Sequence, residues 1–198
     1  MQKLTRTDLL SLEEYARQRP HYRKLMMEHK RPRQIALNHH ARLYFEDRQT
    51  VQYQIQEMLR IEKIFEPDGI EEELAAYNPL IPDGHNLKAT FMLEYPDPDE
   101  RKVALSGLIG VEQKVWLAIE GMEKVYPICD EDLERDNEEK TSSVHFMRFE
   151  LPPSMIHALK KGAPLQAGIG HRNMEAVITL TKAQSEALTA DLDDVVLN

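Results

Sequence analysis

The chain has 198 residues, of which 41% are hydrophobic and 30% charged, and its formal net charge at pH 7 is −9. This is the composition of a soluble globular protein, and no apolar run approaches the roughly 20 residues that a membrane-spanning helix needs. The N-terminus carries no hydrophobic signal segment, and Cys129 is the single cysteine, which excludes an internal disulfide and a cysteine-based cluster. We therefore predict a cytoplasmic protein with no membrane partner.

The charge is unevenly distributed along the chain. Residues 1–60 hold 12 Lys/Arg and 7 Asp/Glu, and the remainder holds 13 and 27. No nucleic-acid motif accompanies the modest basic excess, so we expect no nucleic acid partner. The pattern favours docking of the basic N-terminal part either on the acidic C-terminal part or on an acidic partner protein.

The N-terminal residues read as helices. Ser11 and Glu14 fit a capping box at the start of a first helix. Pro20 fits the first position of a second helix that runs to Lys30, and Pro32 ends it. We take 1–32 as a helical N-terminal extension, 33–66 as a strand–helix anchor and 87–180 as a sheet region, all within one domain, 1–198.

The anchor reads as a hairpin followed by a long central helix. Alternation over 33–46 predicts two strands with a turn at Asn38-His39, and Glu46-Asp47 suits a helix N-terminus. Apolar residues at spacings of three and four predict a helix over 49–65.

At 100° per residue, Glu62 falls in the middle of the apolar face of that helix. Gln54 lies at its edge, whereas Gln56 and Arg60 point to water. A buried carboxylate must be paired, metal-bound or protonated. Glu62 is therefore either part of a structural ion pair, with Arg42, Arg148 or a histidine, or one wall of a functional pocket.

The second half of the chain switches to strand patterns. Alternation predicts strands over 87–95 and 142–151 and a hairpin over 115–129, with further helices over 70–77, 100–109, 152–161 and 182–192. Residues 130–141 read as a solvated acidic segment without the spacing of a calcium loop.

In the strand 142–151, His145 and Arg148 point to opposite faces, and both faces carry large apolar groups. Two further strands follow, over 165–168 and 176–180, and the turn between them presents His171. Together these elements predict an α+β fold, in which N-terminal helices and a long central helix pack on a mostly antiparallel sheet.

Four segments make the chain resemble a known family over nearly its whole length: LTRTDLLSLEEYARQR, LYFEDRQTVQYQIQEMLRIE, AYNPLIPDG and DEDLERDNEEKTSSVHFMRFEL. The chain is identified as a member of an uncharacterised bacterial family, domain of unknown function 3501, whose genes often lie beside those of rubrerythrin and iron–sulphur oxidoreductases. His40 matches a histidine of the family, although Asn38-His39 replace the usual Gly-Pro before it. His171 matches a second one. The resemblance implies a setting in redox and oxidative-stress metabolism and implies no established activity.

The candidate polar pocket consists of the residues that we expect at depth: His40, Gln54, Glu57, Glu62, His145 and Arg148. A non-haem iron, manganese or zinc ion needs three or four converging His/Asp/Glu groups, and the candidates for these are His40, Glu62, His145 and His171. Their spacing matches no metal motif, and the chain also lacks nucleotide-binding and serine-hydrolase motifs.

Two functions remain open at this point. The protein is either an accessory of redox proteins, such as a rubrerythrin-like or iron–sulphur protein, with a buried and possible metal-binding site, or a non-catalytic interaction module whose buried polar residues are structural. Convergence of the histidines and Glu62 on one point distinguishes the first from the second.

Overall fold

The computed structural model describes residues 2–131 and 140–195. In this part of the chain there are six helices and eight strands, and three-residue 3-10 turns also occur, among them Arg31–Arg33 and Asn78–Leu80. The helices are α1 (Leu12–Lys30), α2 (Arg48–Glu62), α3 (Pro67–Tyr77), α4 (Pro98–Gly107), α5 (Pro153–Lys160) and α6 (Lys182–Thr189). The strands are β1 (Gln34–Ala36), β2 (Ala41–Glu46), β3 (Asn86–Leu93), β4 (Val115–Ile119), β5 (Ile128–Cys129), β6 (Val144–Glu150), β7 (Leu165–His171) and β8 (Met174–Thr179).

The strands form two antiparallel sheets. One has five strands in the order β1-β2-β3-β6-β5, and the other has three in the order β4-β7-β8. The α+β prediction is therefore confirmed. Most of the acidic segment 130–141 lies outside the described residues. No described helix combines the length and apolarity that a membrane crossing requires.

The main core lies on one face of the five-stranded sheet. Odd-numbered residues of β2, β3 and β6, such as Leu43, Phe91 and Phe149, are buried and share one apolar cluster with the three-stranded sheet and with α4, α5 and α6. A second, smaller cluster centres on Val51 and Ile55 of α2 and includes residues of α3 and the N-terminus. The even-numbered residues of the three strands face away from the main core, and α2 and α3 flank that open face.

The N-terminal part forms one helix where the sequence predicted two. Ser11 accepts a hydrogen bond from the Glu14 amide and completes the predicted capping box. Pro20 lies inside α1 and removes one backbone hydrogen bond of the helix. The helix continues across it, since Tyr15 on one side and Met26 on the other are both buried against the rest of the protein.

The predicted hairpin over 115–129 is formed only in part. β4 pairs with β7 in the smaller sheet, and β5 pairs with β6 in the larger one. The chain between them keeps a single bridge, Leu117 to Val125. This segment therefore crosses from one sheet to the other. Both faces of β4 are buried, as is usual for a strand inside the core.

Candidate functional site

The central expectation about α2 is wrong: Glu62 is exposed to solvent, and so is Gln54. The buried stripe of α2 follows Val51, Ile55 and Leu59, one residue per turn. The predicted apolar face included Ile61 and Phe65 and was therefore centred near Glu62. In the structure these two side chains are 58% and 67% exposed.

Gln56, expected in water, is buried instead. Its side-chain oxygen accepts from the Leu10 amide at 2.7 Å, and its nitrogen donates to the Leu10 carbonyl. The helix itself ends at Glu62, and Lys63 in the left-handed conformation turns the chain away.

The four candidate metal ligands do not converge. His40 stacks on Tyr95 with ring centroids 4.2 Å apart, and its Nδ1 lies 3.0 Å from the Glu94 carbonyl. His171 lies in the other sheet, where its Nδ1 accepts from the Asn173 amide. Within residues 2–131 and 140–195, no three His, Cys, Asp or Glu side chains are grouped so that they could hold a metal ion.

His145 is fully buried on the core side of β6, as the alternation predicted. Its Nδ1 lies 2.6 Å from Asp130 Oδ2, and its Nε2 lies 2.9 Å from the Thr141 hydroxyl. A carboxylate can only accept, so the ring N–H at Nδ1 donates the hydrogen bond to Asp130. His145 thereby joins the start of β6 to the end of β5.

Glu57 belongs to an ion pair between α1 and α2. Arg19 donates to it from Nε at 2.7 Å and from a terminal nitrogen at 2.8 Å, and the buried Tyr15 hydroxyl donates at 2.5 Å. These hydrogen bonds, that from Arg19 first, lower the pKa of Glu57 to about 2. The carboxylate is saturated by its partners, which makes it a structural link between the two helices.

A second buried network surrounds Arg33, which precedes β1. Its guanidinium donates to both oxygens of Asp191, at 2.6 and 2.8 Å, and lies 2.8 Å from Asp47 Oδ2. His29 contacts the same Asp47 oxygen at 2.6 Å. Asp47 also caps α2 by accepting from the Thr50 amide. One guanidinium thus ties the N-terminal region, the start of α2 and the C-terminal segment together.

The open face of the five-stranded sheet presents three rows of side chains across β2, β3 and β6. The strand register places Glu46 opposite Lys88 and Lys88 opposite Arg148, which gives a charged row at one end. The other two rows are Tyr44, Thr90 and Phe146, and Arg42, Met92 and Val144.

Two adjoining cavities lie over this face. The first has a volume of about 340 Å³ and lies between the sheet and Lys30, Arg33 and Val51. The second has a volume of about 500 Å³ and reaches Lys88 and Arg148. The two cavities have five lining residues in common: Glu46, Tyr77, Leu80, Thr90 and Phe146. We call the two together the open-face cleft; each is large enough for a small-molecule ligand.

A comparison with protein-family models finds one family, "Protein of unknown function (DUF3501)", whose model matches residues 3–192. The chain belongs to the DUF3501 family. A solved crystal structure described as a novel protein of unknown function from Burkholderia pseudomallei K96243 is 48% identical in sequence, with a TM-score of 0.91. That match covers 97% of this chain and 100% of the other. A search of curated proteins finds no match.

The polar lining of the cleft in this DUF3501 chain includes four cationic side chains and two carboxyl groups. Lys30 Nζ lies 5.3 Å from the centroid of the Tyr53 ring, and Lys88 Nζ donates to the Pro79 carbonyl at 2.6 Å. Their described contacts are thus with a ring and a carbonyl rather than with a carboxylate. Burial lowers the pKa of Lys88. Arg33 is 4% exposed, and its Nε has no hydrogen-bond partner among the described residues.

Glu46 is the carboxyl group that both cavities share. It is half-buried, and its Oε2 accepts from the Thr50 hydroxyl at 2.5 Å. Burial raises its pKa, although the Thr50 hydrogen bond and the charges of Lys30 and Arg33 oppose this. Arg148, in contrast, is neutralised by Glu131 and Glu150. Glu46 is therefore the carboxyl group of the DUF3501 cleft that forms no salt bridge among the described residues.

Of the predicted pocket residues, Gln54 and Arg148 line the open-face cleft, one in each cavity. His40, Glu57, Glu62 and His145 are not among its lining residues. The sequence predicted Glu46 as a helix cap and gave no prediction of a site at Arg33 or Lys88. A signal for this DUF3501 site was nevertheless present, because Tyr44, Glu46, Lys88 and Thr90 occupy the outward positions of two alternating strands.

Proposed function

We propose that this protein binds a small carboxylate with an apolar body in the open-face cleft, and that it acts as an accessory in bacterial redox or oxidative-stress metabolism. One observation carries the binding proposal. Two ammonium groups that form no salt bridge among the described residues, Lys30 and Lys88, line the two cavities on an aromatic and aliphatic wall, although Glu46 attracts Lys30, and Asp83, Glu131 and Glu150 attract Lys88.

The charges of the lining favour an anion over a cation. Lys30 and Lys88 face Glu46 across the two cavities, whereas Arg33 and Arg148 already form ion pairs with carboxylates. In a partly desolvated cleft, a charge-assisted hydrogen bond to an ammonium or guanidinium is stronger than one between neutral groups.

The rest of the lining favours an apolar body behind that carboxylate. Phe146 and Thr90 form the floor, and Tyr77 and Leu80, at the end of α3 and in the turn after it, form a wall. Removal of an aliphatic or aromatic group from water into such a cleft contributes about 25 cal/mol per Å² of buried apolar surface. We therefore expect a ligand with one charged end and a hydrophobic chain or ring.

The proposal is tested with 11-(dansylamino)undecanoic acid and its neutral methyl ester, titrated by fluorescence. The acid should saturate one site and bind at least tenfold more tightly than the ester. Of Lys88→Gln and Lys30→Gln, the variant that removes the ammonium holding the carboxylate should weaken binding of the acid by roughly 10-fold or more, because it removes a charged contact worth about 1.5–3 kcal/mol. Lys114→Gln, at an exposed lysine outside the cleft, is the control.

Equal binding of acid and ester, or lysine variants that bind the acid as wild type does, would contradict the proposal. Thermal melting of each variant separates loss of binding from loss of folding. Lys88 and Lys30 line different cavities, so the variant with the larger loss locates the carboxylate.

The accessory role rests on the resemblance described above, which implies gene neighbours of the rubrerythrin and iron–sulphur type. Because the candidate ligands His40, Glu62, His145 and His171 lie apart, this role does not depend on an iron, manganese or zinc ion bound by those four residues. Elemental analysis of the purified protein and a pull-down with a purified rubrerythrin-type protein test it. A stoichiometric metal in the purified protein would count against an accessory role that needs no metal ion. Failure to retain the rubrerythrin-type protein at low salt would count against the accessory role itself.

The alternative, an interaction module, is favoured by the outer face of α1. A shallow groove there is lined by Arg23, Lys24 and Arg31 together with Met27, which is 44% exposed. These cations are not engaged by the acidic C-terminal part in the described residues. They fit an acidic protein segment with one apolar side chain, and such binding should weaken steeply with salt.

A further inference from the structure

We infer that a carboxylate enters the open-face cleft together with one proton, which Glu46 takes up from solvent. The inference rests on the proposed function and adds to it the protonation state in which the site is loaded. It follows from the position of Glu46 between the two places where an anion would be held.

Glu46 ends β2 and belongs to the lining of both cavities. It lies directly across from Lys88 in the β2–β3 register. Lys30 and Arg33 line the first cavity together with it. An anion held by either group of cations is therefore a near neighbour of the Glu46 carboxyl.

The other charged and titratable groups around Glu46 do not remove this conflict. Lys30 at the end of α1 and Arg33 in the turn after it lie on one side of Glu46, and Tyr44 and Asp47 belong to its own segment. The remaining groups are Lys88 on β3, Tyr77 on α3, and Arg148 with Glu131 on the side of β5 and β6. Asp47 and Arg148 already have partners of opposite charge. Thr50 supplies one hydrogen bond to Glu46, which leaves its other oxygen without a described donor.

Two carboxylates that share one desolvated site cannot both remain ionised at little cost, and the usual outcome is that one proton is held between them. Before the ligand arrives, burial already raises the pKa of Glu46. A bound carboxylate raises it further. Glu46 is then protonated in the complex and donates a hydrogen bond to the ligand, instead of repelling it.

The experiment is isothermal titration calorimetry of 11-(dansylamino)undecanoic acid into the full chain at pH 7, in phosphate and in Tris. These buffers differ in ionisation enthalpy, so the difference in observed heat gives the number of protons taken up. We expect between one half and one proton per ligand for wild type. For Glu46→Gln we expect an uptake near zero with binding retained.

The pH dependence has a defined sign. Because the bound form holds more protons than the free form, wild-type affinity falls as the pH rises above the pKa of free Glu46, by up to tenfold per pH unit. Glu46→Gln should show a flat profile. Glu73→Gln is the matched control, since burial also raises the pKa of Glu73, which is not a lining residue of the cleft.

Each result is decisive. Binding to wild type with no proton uptake overturns the inference and leaves the proposed function intact. An uptake that persists in Glu46→Gln assigns the proton elsewhere and also overturns it. Absence of binding at every pH overturns the proposed function and this inference together. The wild-type measurement suffices if Glu46→Gln fails to fold.

Discussion

Replacement of Arg33 by methionine is expected to lower the free energy of unfolding by about 3–5 kcal/mol, the usual cost of removing one partner from a buried ion pair. The guanidinium is 5% exposed and has two buried carboxylates, Asp47 and Asp191, as partners. Methionine fills a similar volume but leaves both carboxylates without this cation. Since domains are commonly stable by only 5–15 kcal/mol, the loss should be large and easily measured by urea denaturation at pH 7.

The matched control is Arg48→Met. Arg48 also pairs with an aspartate, Asp8, at 2.6 Å, but the two side chains are 33% and 28% exposed. Such a pair contributes about 0–1 kcal/mol. The deficit of Arg33→Met should shrink at pH 4, where the unpaired carboxylates protonate. Equal losses in the two variants, or a deficit that does not depend on pH, would show that the buried network is not what stabilises the fold.

Gly168→Ala is expected to destabilise the smaller sheet by about 3 kcal/mol, at the upper end of the usual cost of overpacking. Gly168 lies on the central strand β7, directly opposite Trp116. A Cβ at this position would meet the indole ring of Trp116 and would lie 2.5 Å from the Ala176 carbonyl oxygen. The carbonyl belongs to the neighbouring strand β8 and cannot move without breaking the β7–β8 pairing.

The chain contains one tryptophan, so its fluorescence reports on this contact directly. The indole is 3% exposed, and its emission should shift to longer wavelength in Gly168→Ala if the ring is displaced. Gly170→Ala is the control. It lies two residues further along the same strand, where an added Cβ meets nothing within 4 Å, and its stability should stay within about 0.5 kcal/mol of wild type. A Gly168→Ala protein with wild-type stability and emission would refute this account of the packing.

The fold class could be predicted because it depends on local patterns. Alternation in β3 and β6 put Phe91 and Phe149 on one side and Lys88 and Arg148 on the other, and the structure places them so. The capping box at Ser11 was equally local. The partner of β4 was not predictable in this way, since strand pairing across fifty residues depends on the packing of the whole chain.

The burial of Glu62 was mispredicted for a physical reason. Helical periodicity fixes which residues share a face, but the last turn of a helix may extend beyond the core. Ile61 and Phe65 are apolar and yet exposed, so they biased the predicted face. Glu46 and Lys88, in contrast, lie about forty residues apart and become neighbours only through the β2–β3 register. No local pattern in the sequence reports that proximity.

The bond between Arg33 and Asp191 joins residues 158 positions apart. During synthesis, the guanidinium therefore has to wait until residue 191 has left the ribosome before its second carboxylate is in reach. Contacts between residues far apart in the sequence form slowly. Until then Asp47 is the carboxylate partner of Arg33, so the link between the N-terminal region and the C-terminal segment is completed late in folding.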